Sequence, residues 1–144
     1  MVNVEGKEVT TRKATAKAIM FLGKEIISHF SEDEIHTKKG PVFQTAIIAG
    51  IQAVKKTSEL IPMCHPLLIS GVDIDIEIID DENIEILCEV EIDGKTGVEM
   101  EALTGASVAG LTIYDMCKAI SQKMVLKEVK MIEKTGGKSD YRLI

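Results

Sequence analysis

Aromatic side chains are scarce in this chain: Phe and Tyr make up 3% of the 144 residues, and Trp is absent. Any hydrophobic core must therefore be built from aliphatic side chains, chiefly those of Ile, Val, Leu, Ala and Met. Proteins that bind single-stranded nucleic acids without sequence preference stack the bases on aromatic side chains. The composition therefore argues against that class of protein.

Positive charge is also in the minority, since 17 Lys and Arg residues face 23 Asp and Glu residues and leave a net charge of −6. A general nucleic-acid binder needs a broad positive field on its surface, so we expect no nucleic-acid partner. The balance still allows one anionic small molecule to be held by a few local cations.

Signals for an oxidising compartment or a membrane are missing from the sequence. The chain has three Cys residues, an odd number, and no CxxC pair, which is typical of reduced thiols inside the cell. Its N-terminal residues form no apolar signal region. The longest strongly apolar run, residues 46–54, is too short to span a bilayer. We expect a cytoplasmic protein with no membrane partner.

A length of 144 residues predicts one domain over residues 1–144, and hydrophobic periodicity predicts mixed secondary structure within it. Alternation of apolar and other residues predicts strands at 13–22, 70–80, 83–92 and 126–134. Helical spacing predicts long helices at 41–57, with Pro41 as the first helical residue, and at 99–122, besides a short helix within 23–30. The remaining stretches 31–40 and 135–140 are expected to be a loop and a flexible tail. The order of elements predicts an α+β, ferredoxin-like fold: one antiparallel sheet with helices packed on one face.

The predicted helix at 99–122 has an unusual middle. Residues 104–110 are all small apart from Val108, and they include Gly105 and Gly110. Each glycine costs a helix about 1 kcal/mol relative to alanine. We interpret the small residues, Gly105, Ala106, Ala109 and Gly110 among them, as a surface that another backbone approaches closely.

Three short motifs contain residue types that can carry chemistry. The GKTG sequence at 94–97 is not a phosphate-binding loop, because Glu89 stands where that motif needs a glycine. The MCHP sequence at 63–66 could be a rigid turn, part of a metal site, or a turn that fixes His65 as an acid or base. Lys38 and Lys39, just before a helix start, form either an anion site or a solvated basic turn.

Charged residues mark the two ends of the long helix. Asp115 and Lys118 are three residues apart and can pair; they are either a surface ion pair or, among apolar neighbours, a proton-transfer pair. Glu99 and Glu101 either favour the helix dipole or accept hydrogen bonds from a guanine-like edge.

Four segments of the chain resemble one known family in order and spacing. They are "MVNVEGKEVTTRKATAKA", "KKGPVFQTAIIAGIQAVKKTSELIPMCHPL", "GKTGVEMEALTGASVAGLTIYDMCKAI" and "EKTGGKSD". The sequence is similar to the cyclic pyranopterin monophosphate synthases, the molybdenum cofactor biosynthesis protein C family. The chain departs from that family at Asn3 and Pro41, where Asp is common, so a role for an acid at position 3 is not carried over.

The resemblance implies a ferredoxin-like lyase that acts on a nucleotide-derived small molecule. The substrate that the resemblance implies is 3′,8-cyclo-7,8-dihydroguanosine 5′-triphosphate, and the implied products are cyclic pyranopterin monophosphate and diphosphate. It also implies a homohexamer, a trimer of dimers, with active sites at subunit interfaces. No resident cofactor is firmly implied, although a Mg²⁺ ion could bridge the triphosphate.

The family's site residues carry over motif by motif. Its catalytic residues correspond to Asp115, Lys118 and Lys39, and its substrate-binding residues to Met63, Cys64, His65, Met100, Glu101, Glu99, Arg12 and Lys138. Lysines with an orienting Asp suit the proton transfers of the ring rearrangement, whereas Arg12, Lys39 and Lys138 suit the phosphates. Glu101 and Asp115 lie 14 residues apart, about 21 Å along a helix, so we expect them to serve different active sites completed by neighbouring subunits.

Two other classes of function remain at the level of sequence. A non-catalytic sensor of the same fold would bind the nucleotide and release no diphosphate. A purely structural oligomerisation module would carry Glu101, Asp115 and Lys118 as solvated charges that affect no ligand.

Overall fold

A computed structural model describes residues 1–143 of the chain. The strands are β1 (Thr10–Phe21), β2 (Phe30–Ser31), β3 (Glu34–Thr37), β4 (Gly40–Pro41), β5 (Gly71–Ile78), β6 (Asn83–Gly94), β7 (Val125–Thr135) and β8 (Tyr141–Arg142). The helices are α1 (Lys24–Ile27), α2 (Val42–Lys55), α3 (Thr57–Leu60) and α4 (Glu99–Cys117).

The main sheet has five strands in the order β5-β6-β1-β7-β8, and every neighbouring pair is antiparallel. Strands β1, β5, β6 and β7, with α2 after β1 and α4 after β6, form the split βαβ arrangement of the ferredoxin-like fold. The predicted α+β fold class is therefore confirmed. Two small hairpins, β2-β3 and β3-β4, lie outside this sheet.

Alternation along the strands sends one set of side chains into the core. The buried side chains of β1 are mostly small, at Ala14, Ala16 and Ala18, whereas those of β6 are larger. Alanine is a weak strand former, but here its small size leaves room for α4, which packs on β1, β6 and β7. The sheet surface opposite the helices carries the charged residues of the same strands.

The two long helices approach each other through glycines. A Cβ atom on Gly50 of α2 would lie 2.9 Å from the carbonyl oxygen of Gly105, and one on Gly105 would lie 2.7 Å from Cys88 Sγ. Real Cβ atoms do not come this close, so neither position has room for a side chain. The small middle of α4 therefore admits another backbone, as its sequence predicts.

Several predicted boundaries are wrong. Helix α4 ends at Cys117 instead of residue 122, because the chain turns there and the N–H groups of Ile120 and Ser121 both donate to the Cys117 carbonyl. Pro41 is not the first helical residue; it is extended and pairs with His36 in β4. The short helix predicted within 23–30, by contrast, is present as Lys24–Ile27.

The stretch 31–40, expected to be a loop, contains most of the hairpins β2-β3-β4. Its strands are two to four residues long, too short to show an alternating pattern. The tail after β7 includes β8, which pairs with Glu133 and Lys134 and extends the sheet by one strand. Within residues 1–143, no helix combines the length and apolar character needed to cross a bilayer.

Candidate active site

At the C-terminal end of α4, the carboxylate of Asp115 lies between two ammonium groups. Lys118 Nζ is 3.1 Å from Oδ1, and Lys39 Nζ is 3.2 Å from Oδ2. Lys39 also donates to the backbone carbonyl of Asp115 at 3.1 Å. The hydrogen bond from Lys118, followed by that from Lys39, holds the pKa of Asp115 below its usual value. Asp115 is therefore an anion that orients both lysines.

The fold positions the three groups by two routes. Asp115 and Lys118 are one helical turn apart at the end of α4, so their side chains share a face. Lys39 belongs to the turn between β3 and β4, where its backbone N–H donates to the Thr37 hydroxyl at 3.2 Å. This turn lies beside the last turn of α4, and Lys39 reaches across to Asp115.

A cleft of about 490 Å³ opens next to this cluster. Its wall is largely apolar, with Met116, Ala119 and Ile120 on one side and Lys38 and Lys39 on the other. His29 and His36 also line it, and they were not among the predicted site residues. Their lone positions in segments without a metal spacing gave no signal in the sequence.

The N-terminal end of α4 carries a different set of groups. Glu101 is 4% exposed, and burial, with a smaller contribution from the neighbouring charge of Glu99, raises its pKa above the usual value. Glu101, Glu99 and Met100 line a groove of about 270 Å³. A buried carboxylate in such a groove can accept hydrogen bonds from the N–H groups of a ligand.

The Met63–His65 turn forms the facing wall of this groove, together with Leu67. Its backbone is fixed by the Cys64 N–H, which donates to the Ile61 carbonyl at 3.2 Å. Burial raises the pKa of the Cys64 thiol, and the charge of Glu101 adds to this. The ring nitrogen Nε2 of His65 lies 2.7 Å from the Val2 carbonyl oxygen. Because a carbonyl only accepts, this contact places a proton on Nε2.

A second cavity, of about 230 Å³, adjoins the groove and shares Lys7, Thr96, Gly97 and Glu99 with it. Its walls bring together a cluster of cationic side chains: Lys7, Arg12, Lys13, Lys134 and Lys138. Arg12 is anchored by the hydrogen bond from its Nε to the Gly94 carbonyl at 3.0 Å, which leaves its terminal nitrogens for other partners. Such a cavity suits an anion with several charges.

Lys7, Lys13 and Lys134 were missed by the sequence interpretation. Lys134 lies 3.5 Å from Glu99, so it also links the cationic cavity to the start of α4. All three lie in segments that resemble the family: Lys7 and Lys13 share the first with Arg12, and Lys134 shares the last with Lys138. Lys13 follows Arg12 in a strand, where neighbouring side chains point to opposite faces, and only the position of the cavity at the strand end unites them.

The predicted site residues therefore fall into two groups. Met63, Cys64, His65, Glu99, Met100, Glu101, Arg12 and Lys138 lie around the start of α4, and Lys39, Asp115 and Lys118 lie at its end. The helix separates Glu101 from Asp115 by about 21 Å at 1.5 Å per residue. One copy of the chain thus presents the predicted residues as two separate groups, one at each end of α4.

A metal site within one chain was one interpretation of the MCHP motif. Among residues 1–143, no three or more His, Cys, Asp or Glu side chains are grouped so that they could hold a metal ion. In the described structure the motif is a turn whose Cys and His face the groove, which fits the alternative interpretations.

Comparison with known proteins places these features in a family. A model described as the MoaC family matches residues 1–137. A protein named molybdenum cofactor biosynthesis bifunctional protein, from Synechocystis sp., is 54% identical over 144 residues, which cover 97% of this chain but only 42% of that protein. A cyclic pyranopterin monophosphate synthase from Peptoclostridium acidaminophilum is 51% identical over 142 residues, covering 98% of this chain and 88% of that protein. The chain belongs to the MoaC family.

Proposed function

We propose that this protein is a lyase, a cyclic pyranopterin monophosphate synthase. It converts 3′,8-cyclo-7,8-dihydroguanosine 5′-triphosphate to cyclic pyranopterin monophosphate and diphosphate, an early step of molybdenum cofactor biosynthesis. The family match over residues 1–137 and the relative of that name at 51% identity support this function.

The observation that carries the proposal is the position of Asp115 between Lys39 and Lys118. Opening the five-membered ring and reclosing the atoms as a pyranopterin requires several proton transfers, and positioned lysines can act as general acids and bases. A carboxylate that stays ionised keeps both ammonium groups within reach of the same point. A largely apolar cleft lies beside Lys39, and the three charged side chains themselves are about half exposed.

The other end of α4 supplies groups for binding the substrate. The purine-derived ring presents a ring N–H and an exocyclic amine, and Glu101 and Glu99 are the acceptors available in the groove. The triphosphate matches the adjoining cavity with Arg12 and Lys138. When the cyclic phosphate closes, a hydroxyl oxygen of the substrate bonds to the α-phosphorus and gives its proton to a general base. The bond from the α-phosphorus to the bridging oxygen breaks, and charge builds up on the departing diphosphate, which these cations stabilise.

A complete site requires both groups of residues, and one chain keeps them at opposite ends of a helix. We therefore propose that a neighbouring subunit brings its Lys39, Asp115 and Lys118 to the groove beside Glu101. A homohexamer built as a trimer of dimers satisfies this requirement. We also propose that the protein is located in the cytoplasm. The homohexamer also gives the exposed apolar residues Ile48 and Leu111 on the outer sides of α2 and α4 a surface to cover them.

We expect any Mg²⁺ ion to arrive with the phosphates of the substrate. The side chains that face the phosphate cavity are mainly cations, which bind phosphoryl oxygens directly and repel a divalent ion. The contribution of the chain to phosphate binding is therefore the cationic cluster.

The test is diphosphate release from the purified cyclised nucleotide. Wild-type protein is expected to release diphosphate with formation of the cyclic monophosphate. Lys118→Ala and Asp115→Asn should lower kcat by about 10²–10⁴-fold, the usual contribution of general acid–base groups. Binding of the nucleotide without diphosphate release would indicate a sensor, and near wild-type rates in both variants would contradict the catalytic assignment.

A further inference from the structure

The first turn of α2 lacks a local cap. Pro41 is the N-cap residue, and its side chain has no hydrogen-bond acceptor; the first helical turn has no acidic residue either. The first N–H groups of a helix have no partner within it and need an acceptor from elsewhere. For α2 that acceptor comes from outside the helix.

Glu34, the first residue of β3, provides it. Its Oε1 accepts from the Phe43 N–H at 2.7 Å, and its Oε2 accepts from the Gln44 N–H at 3.0 Å. Oε1 also accepts from the N–H of Ile35 at 2.8 Å, which fixes the side chain against its own strand. One carboxylate therefore ties the start of β3 to the start of α2.

The link that Glu34 makes between β3 and α2 encloses the segment that carries Lys39. Strands β3 and β4 pair through His36 with Pro41 and Thr37 with Gly40, so Lys38 and Lys39 form the turn between them. Both ends of this hairpin are then fixed: one by Glu34 and the other by the helix that Glu34 caps. The turn is exposed, and Lys39 has to reach Asp115 from it.

We propose that Glu34 is a positioning residue, whose carboxylate holds the β3-β4 turn so that Lys39 Nζ stays against Asp115. Among residues 1–143, Glu34 makes no hydrogen bond or ion pair with Asp115 or Lys39, and the proposal gives it no part in proton transfer. Its effect on turnover rests on the proposed function, but the geometric claim about Lys39 and Asp115 does not.

If Glu34 only caps α2, the experiment has a different expected result than if Glu34 also links β3 to α2. An Asp at position 41 would sit at the N-cap in an extended conformation, φ −73° and ψ 124°, which suits capping. It would satisfy the first turn of α2 without reaching back to β3. Pro41→Asp therefore separates capping of the helix from tying of the turn.

The experiment uses full-length Glu34→Ala, Glu34→Gln and the double variant Glu34→Ala with Pro41→Asp. Glu25→Ala, which removes an exposed glutamate on α1, is the matched control. Thermal unfolding measures the cap, kcat and KM measure the site, and NMR titration of the Asp115 carboxyl reports whether Lys39 is still beside it. Glu34→Gln keeps one acceptor oxygen and the fold, so it gives a result even if Glu34→Ala fails to fold.

The tie predicts that kcat falls by about 100-fold in Glu34→Ala, the scale for a displaced catalytic group, with a smaller change in KM. The Asp115 pKa should rise part of the way to its usual value, because Lys118 remains. In the double variant the melting temperature should recover, but kcat and the Asp115 pKa should not. Glu34→Gln should be intermediate, and Glu25→Ala should match wild type.

Recovery of kcat and of the Asp115 pKa together with the melting temperature in the double variant would overturn the proposal, since Glu34 would then be only a cap. An unchanged Asp115 pKa in Glu34→Ala or Glu34→Gln would overturn it as well. If wild-type protein releases no diphosphate, the proposed function fails, yet the NMR titration still decides whether Glu34 holds Lys39 in place.

Discussion

Lys39 and Asp115 are 76 residues apart in sequence, and their side chains meet at 3.2 Å between Nζ and Oδ2. Asp115 also keeps its helical partner Lys118. The carboxylate thus has a cation on each oxygen, although all three groups are reached by solvent. This cluster has a consequence for stability in acid.

Asp115 should contribute to the acid sensitivity of the fold. Its pKa is lower in the folded chain than in the unfolded one, so its stabilising effect is present above the unfolded value and is lost as pH falls through the folded value. As pH falls from about 5 to about 2, the free energy of unfolding of Asp115→Asn should therefore decrease less than that of wild type. Melting temperatures across that range measure the difference, with Asp33→Asn, at an exposed turn position, as the control. Parallel curves for wild type and Asp115→Asn would contradict the assignment.

Glu101 should act in the opposite direction. Burial raises the pKa of Glu101 in the folded chain, so its charged form opposes folding. The stability that the protonated form provides below the pKa of the unfolded chain is lost as pH rises through the pKa of the folded chain. Glu101→Gln should remove this loss and be more stable than wild type at neutral pH, with little difference below about pH 4. Denaturant unfolding at several pH values measures this, and equal stability at neutral pH would show that the carboxylate is not destabilised.

The contact between α2 and α4 should tolerate no side chain at its centre. Gly105→Val would put a branched side chain where even a Cβ lies 2.6 Å from a methyl group of Val54. Overpacking of this kind costs about 1–3 kcal/mol, so the free energy of unfolding should fall by at least that amount. Gly6→Val, in open space, is the control. A small effect at Gly105 would mean that the helices can separate without cost.

Two features of the fold are predictable from sequence alone: the alternation along the strands and the close approach at the middle of α4. The alternation that predicted β1, β5 and β6 is preserved because each strand has one face in the core, and position 88 is buried as a Cys among Ile and Val residues. The small middle of α4 predicted a close approach, since glycine in a helix has a cost that packing must offset. Both signals are local, repeated over many residues, and therefore robust.

The parts that sequence missed depend on contacts between distant segments. Glu34 caps a helix that starts eight residues later, and nothing in a stretch of polar residues distinguishes it from Glu32 or Asp33. Lys13 joins the cationic cavity only because the start of β1 lies beside the end of β7 and the segment that follows it. The pairing of Lys39 with Asp115 likewise follows from the topology, although the family resemblance indicated both residues.

Thiol labelling should distinguish Cys64 from the other two cysteines. Cys88 and Cys117 are fully buried, and burial raises their pKa values to about 12 and about 11. Cys64 is partly exposed in the groove, so a thiol reagent should modify one cysteine per native chain, faster toward alkaline pH because its pKa is also raised. Substrate nucleotide should slow the reaction. Mass spectrometry identifies the site, and labelling unaffected by the nucleotide would remove Cys64 from the binding groove.

Active sites shared between subunits make a prediction about mixed assemblies. Glu101→Gln damages the groove at the start of α4, and Asp115→Asn damages the cluster at its end, so each variant alone should be nearly inactive. If each site combines one end of α4 from each of two copies, an assembly of both variants contains some sites with neither substitution. Unfolding and refolding the two variants together should then restore diphosphate release. In a dimer, about half of the pairs are mixed, and each mixed pair has one intact site of two. The expected rate is therefore about one quarter of the wild-type rate per chain. Mixing without unfolding, and refolding each variant separately, are the controls. No recovery from well-folded mixed assemblies would mean that Glu101 and Asp115 act on one nucleotide from the same chain, and the division of the site between subunits would be wrong.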